Sequence, residues 1–570
     1  MQLQSFVDRT FGRKGRRPPP GLRPAPRLSG GLPGVGHLVD FVRQPLGLLT
    51  RAHAELGEVA GFRIGPRRLV ALYGPEAHEA VFRAPDQLLN PQEAYGFMTP
   101  IFGKGVVYDA PLETMGEQVK MLLPALKDRR MRTYGEAIVA EVEQSIAGWG
   151  EEGTIDLVEY CRVLTNFTSS RCLLGVEFRE QMNEEFAAIY HDLERGITPI
   201  AYLNPYLPLP AFRRRDQARV RLVQLVTRIV EERRRQARTG EDFLQTLMEA
   251  RYSDGRPLTE DEITGLLLAA MFAGHHTSSV TTAWTLLELL RDRRYLAAMV
   301  EQIDQVLGRG GPVTMQTVRE LSLTEQAVKE TLRLHPPLFM LIRVAQADWS
   351  FRDVYIPRGT WVVVSPTVSH LSPRYFRDPQ RFDPDRFSPA REGEMADWSY
   401  IPFGGGRHKC LGNAFALLQI KTILAVLLSR YEFDLCGDAI QDDFQSMVIG
   451  PKEPCRLRYR RRLARTVSVP APPPARPVQK EGGNGLSRCP VHAPRRRLRL
   501  WLDRDLCQGH AVCVGEAPEV FAVGADGKVQ LLLERPGPEL YDKVLAAEAY
   551  CPTHTIQVVE EEADGAAGGA

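Results

Sequence analysis

The sequence of 570 residues predicts a large, mainly α-helical domain with small β-sheets, followed by a small α+β domain. Three observations predict it. Thr259-x-x-Glu262 has the form of a capping box, and apolar residues follow at helical spacing to about Arg291. A helix of that length runs ~48 Å, enough to cross a whole domain. The stretch Phe403-Gly-Gly-Gly-Arg-His-Lys-Cys-Leu-Gly412 leads straight into an apolar run from Asn413 to Arg430, which reads as a cysteine presented by a tight turn at the head of a helix. A proline-, arginine- and glycine-rich segment from Arg461 to about Arg496 reads as a linker, and beyond it stand Cys507-x-x-His510-x-x-Cys513 and Cys551-Pro552.

Composition sets the outer limits. Hydrophobic residues make up 44% and charged residues 25%, the balance of a globular protein with a large core. Nine cysteines with no secretory signal ahead of them predict a reducing, cytoplasmic setting and thiols used as ligands rather than in disulfides. No apolar run reaches the ~18–20 residues that span a bilayer, so no transmembrane anchor is expected. The net charge of +2 is unevenly spread: residues 500 to 570 hold thirteen acidic and four basic side chains, net −9, which leaves +11 on the rest. Either a basic body docks an acidic tail domain electrostatically, or the two solvated surfaces simply differ. The basic run Arg13-Lys14-Gly15-Arg16-Arg17 reads as a solvated tail, and no nucleic-acid partner is expected.

In chain order, residues 1–27 are basic and proline-rich and read as disordered, and residues 28–460 read as one globular domain. Ala94 to Tyr108 is aromatic and glycine-rich without clean periodicity, either a loop lining a greasy pocket or a piece of packed core. Inside the long helix, Ala273-Gly-His-His-Thr-Ser278 breaks the apolar pattern. Gly274 weakens the helix by roughly 1 kcal/mol relative to alanine, and Thr277 is spaced to bond back to the Ala273 carbonyl. The stretch reads as a functional groove with a proton-delivering hydroxyl, against the plainer reading of a satisfied buried histidine pair. Glu330-Thr-Leu-Arg333 closes another helix ahead of His335-Pro336-Pro337, with both charges on one face. A strand-like run, Trp361 to Ser365, and Phe382-Asp-Pro-Asp-Arg-Phe387 precede the Cys410 loop.

A thiolate at Cys410, favoured by the amides and dipole of the following helix, suits axial ligation of haem iron; the alternative is a buried cysteine after a glycine turn. The spacing Phe-x-x-Gly-x-x-x-Cys-x-Gly from Phe403 to Gly412 resembles the haem-binding loop of cytochromes P-450. Glu330, Arg333 and Arg386 match that family's structural salt-bridge triad, which makes them fold residues rather than catalytic ones. The likeness is closer still to sterol 14α-demethylases. It lies in Tyr95-Gly-Phe-Met-Thr-Pro-Ile-Phe102, His191-Asp-Leu-Glu-Arg-Gly196, Met271-Phe-Ala-Gly-His-His-Thr-Ser-Ser279, Lys329-Glu-Thr-Leu-Arg-Leu-His-Pro-Pro337 and His408, and it spans roughly residues 28 to 460.

This resemblance implies the cytochrome P-450 fold with haem b bound. Cys410 would hold the iron, Phe403, Gly404 and Gly412 would shape the loop around it, and Tyr95, Arg343 and His408 would meet the propionates. His276 and Glu194 would pair to gate or relay protons, and Thr277 would assist O–O scission over the O2 groove. Phe97, Met98, Phe102 and Ala273 would wall the sterol cavity. Those enzymes usually carry a basic residue early in the helix after the pocket loop. Here the segment reads Leu112-Glu-Thr-Met-Gly-Glu-Gln-Val-Lys120, so either the helix is shifted or Lys120 misses that contact. The implied reaction takes a lanosterol-like 14α-methyl sterol through three O2-dependent monooxygenations, ending in C–C cleavage, release of formate and a Δ14 double bond. The same architecture also suits hydroxylation of another polycyclic terpenoid or lipid, or a non-enzymatic haem and iron–sulfur redox sensor.

The linker, residues 461–496, contains Cys489-Pro-Val-His492, which has no partners at ligand spacing. In the last domain, residues 497–562 with a short tail at 563–570, Cys507, Cys513 and Cys551 stand at iron–sulfur spacing, and His510 takes the second of the usual four places. Three thiolates suit a 3Fe-4S cluster, and His510 as fourth ligand would make it 4Fe-4S. Zinc on three cysteines and a histidine is the rival, which the acidic surface and Cys551-Pro552 argue against. Leu500 to Val559 resembles the small single-cluster ferredoxins that serve bacterial cytochromes P-450, which implies electron delivery to the haem. Gly30 to Gly36 lacks the strand–turn–helix setting of a dinucleotide site, so a separate NAD(P)H-dependent ferredoxin reductase is required.

Overall fold

Apolar periodicity builds the helices that frame the first of two units, Met1–Arg460, the second being Arg461–Ala570. Helix α1 spans Leu157–Ser169, α2 Glu184–Glu194, α3 Pro210–Arg235, α4 Glu260–Arg291, α5 Ser322–Leu334 and α6 Asn413–Arg430. The structure, a computed structural model, describes residues 17–561 except 127, 176–177, 180–183, 199, 202–203, 237–241, 309–310, 438–439, 444–447, 463–496, 505–506, 508–511, 525–527, 550 and 552–554. Most of the expected linker, His510 and the tail 563–570 therefore lie outside the described residues.

Helix α4 starts at the expected capping box: Thr259 Oγ1 accepts from the Glu262 amide (3.2 Å) and Glu262 Oε2 accepts from the Thr259 amide (2.8 Å). It is apolar on all sides because both ends are core. Ile263 to Phe272 pack with Phe97, Phe102 and residues of α3, whereas Ala283 to Leu290 pack with α1 and α6. The polar stretch Ala273–Thr282 falls between these two clusters. There Thr277, Thr281 and Thr282 each donate to the carbonyl four residues back, at 2.7 to 2.8 Å, which satisfies the hydroxyls of the buried Thr281 and Thr282 and of the half-buried Thr277.

Helix α6 corrects one expectation. It is long and apolar enough to cross a membrane by length and composition, yet 72% of it is buried inside the unit, where it serves as a core helix. Residues Ile423 to Leu428 are at most 2% exposed. Behind it, Arg333 clamps Glu330 through two bonds of 2.8 Å and donates to the carbonyls of His370, Pro379 and Arg381. Arg386 Nε reaches the same carboxylate at 3.2 Å. All three side chains are buried, so the triad is a fixed joint between α5 and the segment ahead of the Cys410 loop.

Five short strands lie beside the helices: β1 (Val59–Ile64), β2 (Arg67–Leu72), β3 (Leu89–Asn90), β4 (Leu341–Ala345) and β5 (Trp361–Val364), in the order β1-β2-β5-β4-β3. The N-terminal boundary needs correcting from 28. Arg23–Pro24 pair in parallel with Val354 and Tyr355 at a sheet edge, and Arg23 Nε contacts Asp353 Oδ2 at 2.5 Å. A proline-rich, polar segment conceals such pairing in sequence, because an edge strand needs backbone groups on one side only.

In the second unit, strands β6 (Arg497–Leu502), β7 (Phe521–Val523), β8 (Val529–Leu531) and β9 (Ile556–Glu561) form two antiparallel pairs, β6 with β9 and β7 with β8. Along β6 the buried Leu498 and Leu500 alternate with exposed arginines, the period of a half-buried strand. Helix α7 (Tyr541–Ala549) contributes Val544 and Ala547 to a core that also contains Cys507, Cys513 and Cys551.

Candidate active site

The Cys410 loop is wound by its glycines. Gly404 and Gly406 take φ of +67° and +62°, and a Cβ on Gly406 would run into the Phe82 carbonyl. The Cys410 amide donates to Phe403 O (2.9 Å) and the Lys409 amide to Gly406 O (3.1 Å), which turns the side chain outward from the loop. Cys410 is accessible but recessed. Desolvation raises its thiol pKa, against the opposing pull of the Gly412 amide and Lys409. Metal ligation reverses that balance, since a coordinating thiol is deprotonated outright. Phe403 is half-buried against the main core, and Gly412 caps α6 with open space where a Cβ would stand.

Beside the loop, Tyr95 and Tyr108 stack with centroids 4.8 Å apart. Burial pushes both phenols up, Tyr108 to about 12; Arg343 acts on both and the Cys410 thiol on Tyr108, so these groups share one recess. Arg343 is buried and donates to the Ile342 carbonyl (2.9 Å), and no carboxylate of the described residues forms an ion pair with it. His408 Nε2 bonds Asp86, which thus stands where a propionate alone was expected. Burial would raise the Asp86 carboxyl, but the His408 bond and the charges of His408, Arg407 and Arg343 hold it below its usual range. Sequence reasoning missed Tyr108 and Asp86. Tyr108 closes the aromatic stretch already singled out, whereas Asp86 carries no local signal.

On α4, His276 Nε2 lies 2.8 Å from Glu194 Oε1, as the resemblance implies. Tyr190 stacks on His276 at 6.1 Å, and His275 is buried with its Nε2 2.9 Å from the Arg162 carbonyl. Desolvation, then His276, drives His275 well below its ordinary pKa. Thr277 Oγ1 donates to Ala273 O at 2.7 Å. Ala273 is exposed and Thr277 half-buried, four residues apart on one face of an otherwise buried helix. Phe97, Met98 and Phe102 are buried, with Phe102 edge-on to Phe272 at 6.2 Å. Lys120 is exposed on its helix, Leu112–Leu122, where Met115, Gln118 and Met121 are buried and Gln118 is the polar one among them. Gln118 turns towards the loop. It accepts from the Val107 amide (2.7 Å) and donates to Gly105 O (2.8 Å), pinning the pocket loop. An apolar cavity of about 300 Å³ lies against Met340, Ile342, Trp361 and Phe212; none of Phe97, Met98 and Phe102 lines it.

In the second unit the three cysteine side chains are buried together. Burial pushes the Cys513 thiol to about 12, and Cys551 and Cys507 add to the shift, so the three thiols lie within mutual electrostatic reach. The Val529 amide donates to Cys507 Sγ at 3.4 Å. A packed trio of thiols with an amide aimed at sulfur fits an iron–sulfur cluster.

An accessible thiol on a glycine-wound loop, a buried arginine in no ion pair among the described residues and a small-residue face on the central helix together fit haem bound through thiolate. Residues 26–457 match the model of the cytochrome P-450 family, and residues 500–558 that of a 4Fe-4S single cluster domain. The chain is 43% identical over 449 residues to a sterol 14alpha-demethylase of Mycolicibacterium vanbaalenii, covering 78% of this chain and 99% of that one. To an obtusifoliol 14-alpha demethylase of Sorghum bicolor it is 41% identical over 450 residues, covering 78% and 92%. The cytochrome P450DA heme domain matches with a TM-score of 0.71 at 23% identity, covering 78% of this chain and 99% of that one, a likeness of fold alone. The chain belongs to the cytochrome P-450 family. It is a haem-thiolate monooxygenase joined to a single-cluster iron–sulfur domain.

Proposed function

We propose that the protein is a sterol 14α-demethylase supplied with electrons by its own iron–sulfur domain. The observation that carries this reading is the 43% identity, over nearly the whole length of the relative, to a sterol 14alpha-demethylase. Three monooxygenations would convert the 14α-methyl group to alcohol and aldehyde and then cleave the C–C bond. Each round uses O2, two electrons and two protons, and the last releases formate and leaves the Δ14 double bond.

Haem, when bound, supplies the thiolate-ligated iron at which O2 is activated. The chain's residues do the rest. Cys410 ligates, while Arg343, Tyr95 and His408 offer hydrogen bonds and charge to the propionates. Phe97, Met98, Phe102 and Ala273 exclude water and hold the rings of the sterol. The His276–Glu194 contact of 2.8 Å holds a proton between a partly exposed carboxylate and the helix, and the Thr277 hydroxyl holds one at the Ala273 carbonyl. Cys507, Cys513 and Cys551 hold the cluster, of 3Fe-4S type, or 4Fe-4S if His510 is its fourth ligand. A separate NAD(P)H-dependent ferredoxin reductase would load it, in the cytoplasm.

Turnover of lanosterol by the full-length holoprotein with NADPH and a ferredoxin reductase tests this reading. A 14-demethylated diene and formate, identified by mass spectrometry, are expected. A reduced, carbonyl-binding haem that gives no such product would overturn the substrate assignment.

A further inference from the structure

Glu194, at the end of α2, meets two consecutive histidines of α4. His275 and His276 have ring centroids 4.4 Å apart. Glu194 Oε1 lies 2.8 Å from His276 Nε2 and 3.9 Å from His275 Nδ1. One donor atom from each residue lies within 4.8 Å of the other two.

The tautomer of His275 follows from its other nitrogen. Nε2 sits 2.9 Å from the Arg162 carbonyl, which can only accept, so Nε2 carries the hydrogen. Nδ1 therefore presents a lone pair towards a carboxylate, and among the described residues it has no hydrogen-bond partner although His275 is only 1% exposed. Two acceptors face each other, which is costly in a buried place unless a cation lies between them.

The spacing suits a particular class of cation. Zinc–nitrogen and zinc–oxygen bonds of about 2.0–2.2 Å place tetrahedral ligands ~3.3 Å apart. The observed 2.8 and 3.9 Å bracket that value. Metal-binding histidines commonly donate their second ring nitrogen to a backbone carbonyl, as His275 does to Arg162. The side chains of His276 and Glu194 are 24% and 19% exposed, which leaves a way in for the ion and room for a water as fourth ligand.

We propose that His275 Nδ1, His276 Nε2 and the Glu194 carboxylate form a binding site for a divalent transition-metal ion of the zinc type. Zinc there occupies the same lone pair and carboxylate that the proton contact uses, so it slows turnover. That consequence, unlike the site, rests on the function proposed above.

The test uses the full-length holoprotein, dialysed against buffered free Zn2+, with bound metal counted by atomic emission. Because His275 is core, the variants are His276→Ala and Glu194→Gln. The wild type should bind one more zinc per chain than His276→Ala, and Glu194→Gln should bind that ion at least about tenfold more weakly. Sites made by cysteines are common to all three proteins and cancel in the comparison. Cu2+ as a probe should show nitrogen couplings from two imidazoles in the wild type. Equal zinc content and affinity in all three proteins would overturn the site. Zinc that fills it without slowing product formation upholds the site and counts against the proton role of the pair.

Discussion

At the scale of single residues, Thr277 can be changed without disturbing the fold, whereas the loop glycines divide into one the fold requires and one it does not. Among the described residues the Thr277 hydroxyl bonds only within its own helix, to Ala273 O at 2.7 Å. Thr277→Ala is therefore expected to change stability by no more than about 0.5 kcal/mol. Product per electron consumed should fall steeply, with turnover down on the order of 10²-fold and peroxide up in its place. Unchanged coupling would remove the proton role. The loop glycines separate by geometry: Gly406 has φ +62° and its added Cβ meets the Phe82 carbonyl, whereas Gly412 has φ −88° and open space. Gly406→Ala should cost on the order of 2–5 kcal/mol and lose haem, while Gly412→Ala should still fold, as thermal unfolding and haem titration would report.

Between elements, the joint from α5 to α6 is electrostatic. Lys421 Nζ lies 3.0 Å from Glu325 Oε2, and Lys329 Nζ lies 2.8 Å from its other oxygen. Burial raises the Glu325 carboxyl, but the charges and hydrogen bonds of the two lysines outweigh it and bring the pKa from 4.5 to about 2. Lys421 is itself shifted down, because its burial outweighs the pull of Glu325, so the pair is worth less than the glutamate shift alone implies. A carboxyl whose folded pKa is depressed stabilises above its unfolded value. This contribution is complete above pH 4.5 and is lost as pH falls toward about 2. Glu325→Gln should flatten that acid limb in urea unfolding. At neutral pH it should cost about 1–2 kcal/mol, allowing for the one-third exposure of Glu325.

For the whole molecule, the sequence expectation is a linker at residues 461–496, a stretch of 36 residues rich in proline, arginine and glycine that lies almost entirely outside the described residues. By composition alone a segment of that length predicts that the iron–sulfur unit is presented to the haem unit at an effective concentration on the order of millimolar. Turnover per chain should then be independent of protein concentration. Cleavage at a protease site introduced into the linker should slow turnover at least about tenfold at ~1 μM protein. Cys513→Ala should abolish the iron–sulfur signal and reductase-driven haem reduction, while dithionite still reduces the haem. Unchanged reductase-driven reduction would rule out the cluster as electron source.

Much of this was legible in the sequence, because helices and turns are written in local spacing. Thr259 and Glu262 announce the start of α4, the glycines from Gly404 announce a cysteine loop, and Asn413–Arg430 is the helix its apolar run predicts. The tertiary structure alone decided which distant groups meet. Asp86 bonds His408 across 322 positions, the Arg162 carbonyl fixes the His275 ring across 113, and Gln118 rather than Lys120 turns inward to hold the pocket loop. It also decided that Arg23–Pro24 belong to a sheet and that α6 is core rather than membrane. Spacing fixes what a segment can form, but the partner of a lone pair or a buried charge depends on topology, which brings together residues with no periodic relation to each other.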